Sequence, residues 1–311
     1  MSERMSAGGA APLSASLLGT FLRFVQRPFY SQQPIASQHT WAKVGDILRL
    51  YSLALAILLP LLFIISTVTS SLGAKSHPIN ELFKTMPLYA IGFMAVIMAP
   101  LLEEFIFRLP LRYSPLNVSL PLAFVTFLIP VEAFIAIPRA AALRFVLAAA
   151  VGLGLYVWLH RRGKSKGHSF YAKYTVWIVY ASAILFGAMH IFNFDPKTYW
   201  VAPLVVMPQF TIGMFLSFIR LRHGFRWAIF THGFHNFCAL LPYALTQLGS
   251  QQLREKGFSG AKDVVLPTSD YILLGMVVLF VGGGLFLCLR SVIKMVREWR
   301  QERSAAQQSL G

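Results

Sequence analysis

The stretch that decides the fold is PLYAIGFMAVIMAPLLEEFIFR, residues 87–108. No charged residue occurs in it before Glu103, and its end carries Glu103, Glu104 and Arg108. A helix of about 20 apolar residues is long enough to cross the hydrocarbon core of a bilayer. Backbone groups in lipid must also pair within their own segment, which a helix achieves. The stretch therefore predicts a transmembrane helix with a charged group near its end.

Apolar runs of similar length recur throughout the chain. They lie near residues 48–69, 87–108, 120–137, 140–159, 174–194, 200–221, 226–247 and 270–290. The chain is 56% hydrophobic and only 13% charged, whereas soluble domains carry roughly 25% charged residues. The runs also lack the alternating pattern of an outer-membrane barrel. We therefore predict an all-α, polytopic transmembrane helical bundle of about eight spans, in which residues 120–159 form either two full spans or a re-entrant pair.

Lys and Arg residues are unevenly divided between the two sides of these spans. If both termini are cytoplasmic, the opposite side carries only eight of the 28, namely Lys75, Lys84, Arg139, Arg144, Lys197, Arg254, Lys256 and Lys262. The remaining 20 lie on the side of the termini. Because cytoplasmic loops carry the excess of positive charge, this distribution predicts an N-in, C-in orientation.

The composition divides the chain into three parts. We expect residues 1–46 to be a mobile cytoplasmic tail with a short interfacial stretch near Leu18–Phe29. Residues 47–290 would form the transmembrane domain, and residues 291–311 a basic cytoplasmic tail. The net charge of +16 does not indicate nucleic-acid binding, because the cations lie in loops and tails. Anionic membrane lipids are the partners that such a tail predicts.

Few ionisable side chains lie within the predicted spans. Apart from Asp270 at the first position of the last run, the acids are Glu103, Glu104 and Glu132, and the histidines are His190, His232 and His235. An ionisable residue within a span costs about 2.5–3.5 kcal/mol on insertion scales and by default marks a functional site. These six residues are therefore the candidates for chemistry.

The first candidate group is Glu103-Glu104 followed by Arg108. Glu104 and Arg108 are four residues apart with the acid first, which is the favourable order for an ion pair on a helix. Adjacent helical residues point about 100° apart, so Glu103 would face elsewhere. A carboxylate within reach of a water molecule can act as its general base. The alternative is a helix end that carries ordinary interfacial charge.

The second and third groups each place two side chains on one helix face. Phe186 and His190 are four residues apart, and so are His232 and Asn236. A histidine together with an amide can bind a carbonyl oxygen and the negative charge that develops on it during attack. His235 is one residue away from that face. The alternatives are a histidine satisfied within the core for the second group and interhelical hydrogen bonds for the third.

The ordered set Glu103-Glu104-x-x-x-Arg108, Phe186-x-x-x-His190 and His232-x-x-x-Asn236 resembles the three motifs of the CAAX protease and bacteriocin-processing (CPBP, or Abi) family. Type II CAAX prenyl endopeptidases belong to that family. The preceding Ala99-Pro100-Leu101-Leu102 also resembles its first motif. The motif core would span residues 99–240. Two departures are Leu109-Pro110, where the family usually has Gly after the motif Arg, and residues 115–170, which would insert two helices.

The resemblance implies an intramembrane endopeptidase with a site that opens toward the cytoplasm. Glu103, assisted by Glu104, would activate water, and His190 would position that water. His232 and Asn236 would hold the oxyanion, and Arg108, with Phe186 beside His190, would support the site.

The cofactor and the substrate stay open at this stage. A metal-free mechanism is preferred here, while Glu103, His190 and His232 would be the ligands if zinc were used. The expected substrate is a peptide or a membrane-associated protein. The expected location is the inner membrane of a bacterium.

The predicted boundaries create a conflict of depth. Glu103 lies near the inner end of its span and His190 near the outer end of its own. At 1.5 Å per residue this separates them by roughly 20 Å. A second span that lies deeper, or a fifth span that begins near Trp177, would bring the two side chains toward one level.

Two other functions fit parts of the pattern. In a proton- or cation-coupled transporter, Glu132 and the histidines would relay charge, and prolines would break the helices. Those prolines are Pro121, Pro130, Pro203 and Pro208. In a catalytically silent member of the family, the same fold would act as a scaffold or in bacteriocin immunity.

Overall fold

The computed structural model describes residues 16–31, 39–71, 86–130, 140–193, 196–251, 253 and 266–308. Within these ranges all regular structure is helical, and no strand occurs. The α-helices are α1 Leu17–Gln26, α2 Thr40–Ser71, α3 Leu88–Gly92, α4 Ala99–Phe107, α5 Pro115–Leu128, α6 Ala140–Arg162, α7 Lys164–Met189, α8 Ala202–Val205, α9 Met207–Arg222, α10 Phe225–Gln247 and α11 Thr268–Gln308. A π-helix, Phe93–Met98, joins α3 to α4. Short 3₁₀-helices are Leu109–Leu111, His190–Asn193 and Pro196–Val201.

Six helices of the described residues are long and apolar enough to cross a membrane. They are Thr40–Ser71, Leu88–Leu111, Ala141–Arg162, Lys164–Asn193, Tyr199–Arg222 and Thr268–Gln308. The chain is therefore a multi-pass integral membrane protein. The predicted third span coincides with α5, which has only 14 residues, and Glu132 lies outside the described residues. The predicted seventh span coincides with α10, which has 23 residues but is less apolar because it carries His232, His235 and Asn236. A count of eight spans and the N-in, C-in orientation stay predictions.

Four helices form the bundle that carries the predicted site residues. Helix α4 packs against α7, α7 against α9, α9 against α10, and α10 returns to α4. The buried core of the described residues includes the side chains of Phe186, Leu216 and Phe218. The span Tyr199–Arg222, which includes α9, is the most deeply enclosed of the six, because 56% of the residues in its most apolar stretch are buried. Outside the ring, α2 packs against α9 and α11.

The two tails pack against the bundle and against each other. Helix α1 is capped at its start by Ser16, whose hydroxyl accepts a hydrogen bond from the Gly19 N–H at 3.2 Å. The ring of Phe21 stacks on Phe215 of α9 at 4.3 Å between centroids. At the other terminus α11 continues without a break from Thr268 to Gln308, and Glu302 accepts a hydrogen bond from the Ser16 backbone N–H at 3.0 Å. The interfacial stretch predicted near Leu18–Phe29 is thus a helix that packs against the rest of the protein.

Helices α5 and α6 pack mainly against each other and form a pair beside the bundle. Their contacts with the ring run through α4 and α7, for example Phe124 of α5 edge-on to Phe105 of α4 at 5.7 Å. An apolar groove of about 710 Å³ lies between them. Most of α6 faces outward, because only 6% of the residues in its most apolar stretch are buried. This pair accounts for most of the predicted insertion at residues 115–170.

Candidate active site

Three contacts set the register between α4 and α7. The Ser182 hydroxyl donates a hydrogen bond to the Phe107 carbonyl at 2.6 Å. One turn further along α7, the guanidinium of Arg108 lies over the ring of Phe186 at 4.0 Å. Another turn on, His190 Nε2 is 4.0 Å from Glu103 Oε2. Helix α7 begins at Lys164, ten residues before the predicted boundary, and the separation of roughly 20 Å between Glu103 and His190 does not occur.

Glu104 and Arg108 form an ion pair that is completely buried. Arg108 Nη1 lies 3.6 Å from Glu104 Oε1, and neither side chain is exposed to solvent. The two residues are one helical turn apart, as the sequence predicted. Phe186 covers one face of the guanidinium, a cation–π contact that is strongest when both groups are desolvated. The positive charge is thus held next to the carboxylate in an apolar surrounding.

His232 joins the ion pair to Glu103. Its Nδ1 is 3.0 Å from Glu104 Oε1, and its Nε2 is 3.7 Å from Glu103 Oε2. Because a carboxylate oxygen accepts, Nδ1 is the donor of the shorter contact. Nε2 is therefore the nitrogen that faces Glu103. His232 is 3% exposed, so α10 holds its ring between the two carboxylates.

His190 presents its Nε2 to the same carboxylate. Its Nδ1 is 2.7 Å from the carbonyl oxygen of Phe186, and a carbonyl can only accept, so Nδ1 carries the proton of that bond. Nε2 of the neutral ring then has a lone pair that faces Glu103. The ring of Phe186 lies 4.8 Å from His190 and 5.7 Å from His232. Phe186 therefore forms a common wall for both histidines and Arg108.

Glu103 is the more accessible of the two partly exposed members of the cluster, Glu103 and His190, although its Oε2 atom is buried. Its side chain is 28% exposed, in contrast to the fully buried Glu104. Glu103 Oε2 has no hydrogen-bond partner among the described residues. Two groups that can accept hydrogen bonds, Glu103 Oε2 and Nε2 of His190, thus converge on one small region with Nε2 of His232, which accepts in the neutral ring and donates in the protonated ring. A molecule that donates two hydrogen bonds, such as water, is chemically complementary to this arrangement.

The side chain of Asn236 contacts a different part of the chain. Its Nδ2 donates a hydrogen bond to the backbone carbonyl of Ala95 in the π-helix at 2.8 Å. Gly233 lies on the same helix, and a Cβ at that position would lie 2.7 Å from the Val96 carbonyl oxygen. Helix α10 therefore touches the segment before α4 directly through its backbone. The structure brings His232 to the glutamates and attaches Asn236 to the π-helix.

The geometry does not fit a zinc ion as the side chains lie. Zinc ligands bind at about 2.0–2.2 Å from the ion, so two ligand atoms at a tetrahedral angle are about 3.4 Å apart. The separations from Glu103 Oε2 are 3.7 Å to His232 and 4.0 Å to His190. No group of three His, Cys, Asp or Glu in the described ranges has the geometry to hold a metal ion.

Some residues that shape the site carry no chemical signature in the sequence. Gly213 of α9 is one, because a Cβ there would lie 3.1 Å from Arg108 Nη2 and 3.2 Å from the ring of Phe186. The carbonyl of Ala95 is another, and Pro100 five residues later is the signal that could have identified it. His235, one residue away from the face shared by His232 and Asn236, lies with its ring 5.8 Å from Tyr51.

The comparison with known families identifies the segment that carries this cluster. Residues 85–238 match the family described as Rce1-like, type II CAAX prenyl endopeptidase. This segment, 154 of the 311 residues, is similar to the type II CAAX endopeptidase family. Neither a curated protein nor a solved structure matches the chain.

The matched segment contains the five residues predicted to be catalytic. They are Glu103, Glu104, His190, His232 and Asn236, and the supporting Arg108 and Phe186 also lie within it. The family is one of membrane-embedded proteases. The match therefore indicates a CAAX-protease-like intramembrane peptidase, with a lipid environment and a peptide substrate.

Proposed function

We propose that the protein hydrolyses a peptide bond with a water molecule that Glu103 activates. The observation that carries this proposal is the convergence of Glu103 Oε2 with Nε2 of His190 and of His232, at 4.0 and 3.7 Å. A water molecule between these atoms donates one hydrogen bond to Glu103 and the other to His190. Its oxygen lone pair is then free to attack a substrate carbonyl.

In the first step Glu103 accepts a proton from the water as the water oxygen forms a bond to the carbonyl carbon. The carbonyl oxygen becomes an oxyanion. His232 can donate to that oxyanion from Nε2 only when both of its nitrogens carry protons. Glu104 Oε1 lies 3.0 Å from Nδ1. It accepts the hydrogen bond of the Nδ1–H group, and its negative charge balances the positive charge of the doubly protonated ring. A donor placed this way contributes about 3–4 kcal/mol to the transition state.

In the second step the tetrahedral intermediate collapses and the C–N bond breaks. Glu103 transfers its proton to the leaving nitrogen, which leaves as a neutral amine, and the other product is a carboxylic acid. The side-chain amide of Asn236 has two N–H groups. One is used on the Ala95 carbonyl, and the second is available to the oxyanion. Arg108 lies 3.6 Å from Glu104 and holds that carboxylate in place, so that Glu103 alone handles the proton.

Cleavage by the purified protein tests this proposal. Two probes are suitable: a farnesylated peptide that ends in a Cys-aliphatic-aliphatic-X sequence, and the same peptide without the lipid. We expect Glu103→Gln to lower kcat by about 10³-fold, because a general base contributes 10²–10⁴-fold. Glu298→Gln is the matched control, since Glu298 is partly exposed and pairs with Arg49 at 3.7 Å far along the chain from the site.

The same assay separates the alternatives. Cleavage at the wild-type rate by Glu103→Gln would contradict the mechanism. A folded wild-type protein that cleaves neither peptide would favour a silent member of the family. We expect a chelator to leave the rate unchanged, and a loss that added zinc restores would instead assign Glu103, His190 and His232 as metal ligands. Glu132, on which a transporter would depend, lies outside the described residues, and no described contact favours that function.

A further inference from the structure

The π-helix leaves one carbonyl without its regular partner. In this segment the N–H of Ala99 donates to the carbonyl of Met94, five residues earlier. The same pattern one residue on pairs the carbonyl of Ala95 with residue 100. That residue is Pro100, which has no N–H to donate. The Ala95 carbonyl therefore has to find a donor outside its own helix, because an unpaired carbonyl within a membrane costs several kcal/mol.

Asn236 supplies that donor from helix α10. Its Nδ2 lies 2.8 Å from the Ala95 oxygen, and because the carbonyl only accepts, the contact also fixes which way the amide is turned. The close approach depends on Gly233, which has no side chain. A Cβ at this position would lie only 2.7 Å from the Val96 carbonyl oxygen. One hydrogen bond and one backbone contact thus seat α10 on the π-helix.

This contact between α10 and the π-helix connects the two helices that carry His232 and the glutamates of the candidate active site. Four residues before Asn236 on α10 is His232, and eight residues after Ala95 is Glu103. The contact between Asn236 and Ala95 therefore links the helix of the histidine to the helix of the glutamates. Pro100 is buried and lies between Ala95 and Glu103 in the sequence, so it belongs to the segment that joins the contact with Asn236 to the glutamates.

We propose that Pro100 is a positioning residue, which keeps the Ala95 carbonyl free for the Asn236 amide and thereby sets the placement of α10 against Glu103 and Glu104. This inference rests on the proposed function for its kinetic consequence. With any other residue at position 100, a backbone N–H competes with the Asn236 amide for the Ala95 carbonyl, which then no longer needs a donor from α10. The π-helix, a rare element that is frequent at functional sites, then has a role in aligning the site.

A double-mutant cycle in kcat tests the proposal. We expect Pro100→Ala to lower kcat about 10-fold with little change in KM, and Asn236→Ala to lower it about 100-fold, in the range for loss of one oxyanion donor. If Pro100 acts through Asn236, the double variant is no slower than Asn236→Ala alone. A double variant about 1,000-fold slower than wild type would show independent effects and would overturn the proposal. The matched control is Pro60→Ala, which removes an exposed proline from the interior of α2.

Hydrogen exchange gives a second result that does not depend on cleavage. We expect Asn236→Ala to raise amide exchange of residues 93–98 about 10-fold in the full-length protein, because the external bond to the π-helix is lost. In the Pro100→Ala background the same substitution should change nothing further. An equal response in both backgrounds overturns the inference, whatever the activity. The expected exchange pattern with no cleavage by the wild type would contradict the proposed function alone.

Discussion

The ring formed by α4, α7, α9 and α10 and the pair formed by α5 and α6 are built from similarly apolar sequence but are buried very differently. In the span that includes α9, 56% of the residues in the most apolar stretch are buried inside the protein, whereas in the span formed by α6 the share is 6%. The difference lies in their polar and small residues. Helix α9 contributes buried Gly213, Ser217 and Arg220, whereas the outward face of α6 carries Phe145 and Leu153.

This contrast shows what hydropathy measures in a membrane protein. Lipid tails are as apolar as leucine side chains, so hydrophobicity alone does not drive one helix against another. Close packing and interhelical hydrogen bonds do. Arg220 illustrates the second, because its Nε donates to the Arg108 carbonyl at 2.9 Å at the end of α4. Polar groups therefore mark the interior, and long runs of bulky apolar residues mark the face toward lipid.

The largest effect in this comparison should come from the buried charge. Arg108→Ala leaves Glu104 as a buried carboxylate without its cation, which typically costs about 3–5 kcal/mol. The midpoint of thermal unfolding in detergent should fall steeply, and cleavage should be lost. Arg161→Ala on exposed α6 is the matched control and should change stability by about 0.5 kcal/mol or less. Equal effects of the two would mean that the ion pair does not hold the ring together.

A smaller effect is expected from two leucines of equal size. Leu216 on α9 is fully buried and Leu153 on α6 is 66% exposed. Leu216→Ala leaves a cavity in the ring and should cost about 2 kcal/mol or more, whereas Leu153→Ala exchanges one lipid contact for another. Unfolding in detergent measures both. A larger loss from Leu153→Ala would show that the pair of helices is packed against something besides lipid.

The smallest effects, of opposite sign, should come from two glycines. Gly233→Ala on α10 forces the helix away from Val96, and overpacking of this kind costs about 1–3 kcal/mol. Gly154 on α6 has open space around it, so Gly154→Ala should stabilise the helix by about 0.5–1 kcal/mol. Both values follow from unfolding, and Gly233→Ala should also slow cleavage. A stabilising Gly233→Ala would exclude the close approach of α10 to the π-helix.

Much of the candidate site could be predicted because its rules are local. The ion pair between Glu104 and Arg108 follows from their spacing on a helix, and the structure confirms it. Pro110 has no backbone N–H and disfavours a continuing helix, and α4 ends at Phe107. The shared face of Phe186 and His190 is confirmed by the 4.8 Å contact between their rings. Each of these inferences needs only the helical period and the chemistry of neighbouring residues.

The sequence by itself determined the all-helical membrane fold, the residues of the acid and histidine cluster, and the pairing of Glu104 with Arg108, because these depend on composition and on short helical spacings. Only the tertiary structure decided the register of α7, which brings His190 to Glu103, and the attachment of Asn236 to the Ala95 carbonyl. It also decided that α1 packs against α9 and α11. These features depend on how helices distant in sequence slide and pack against one another, and a helical period contains no information about that.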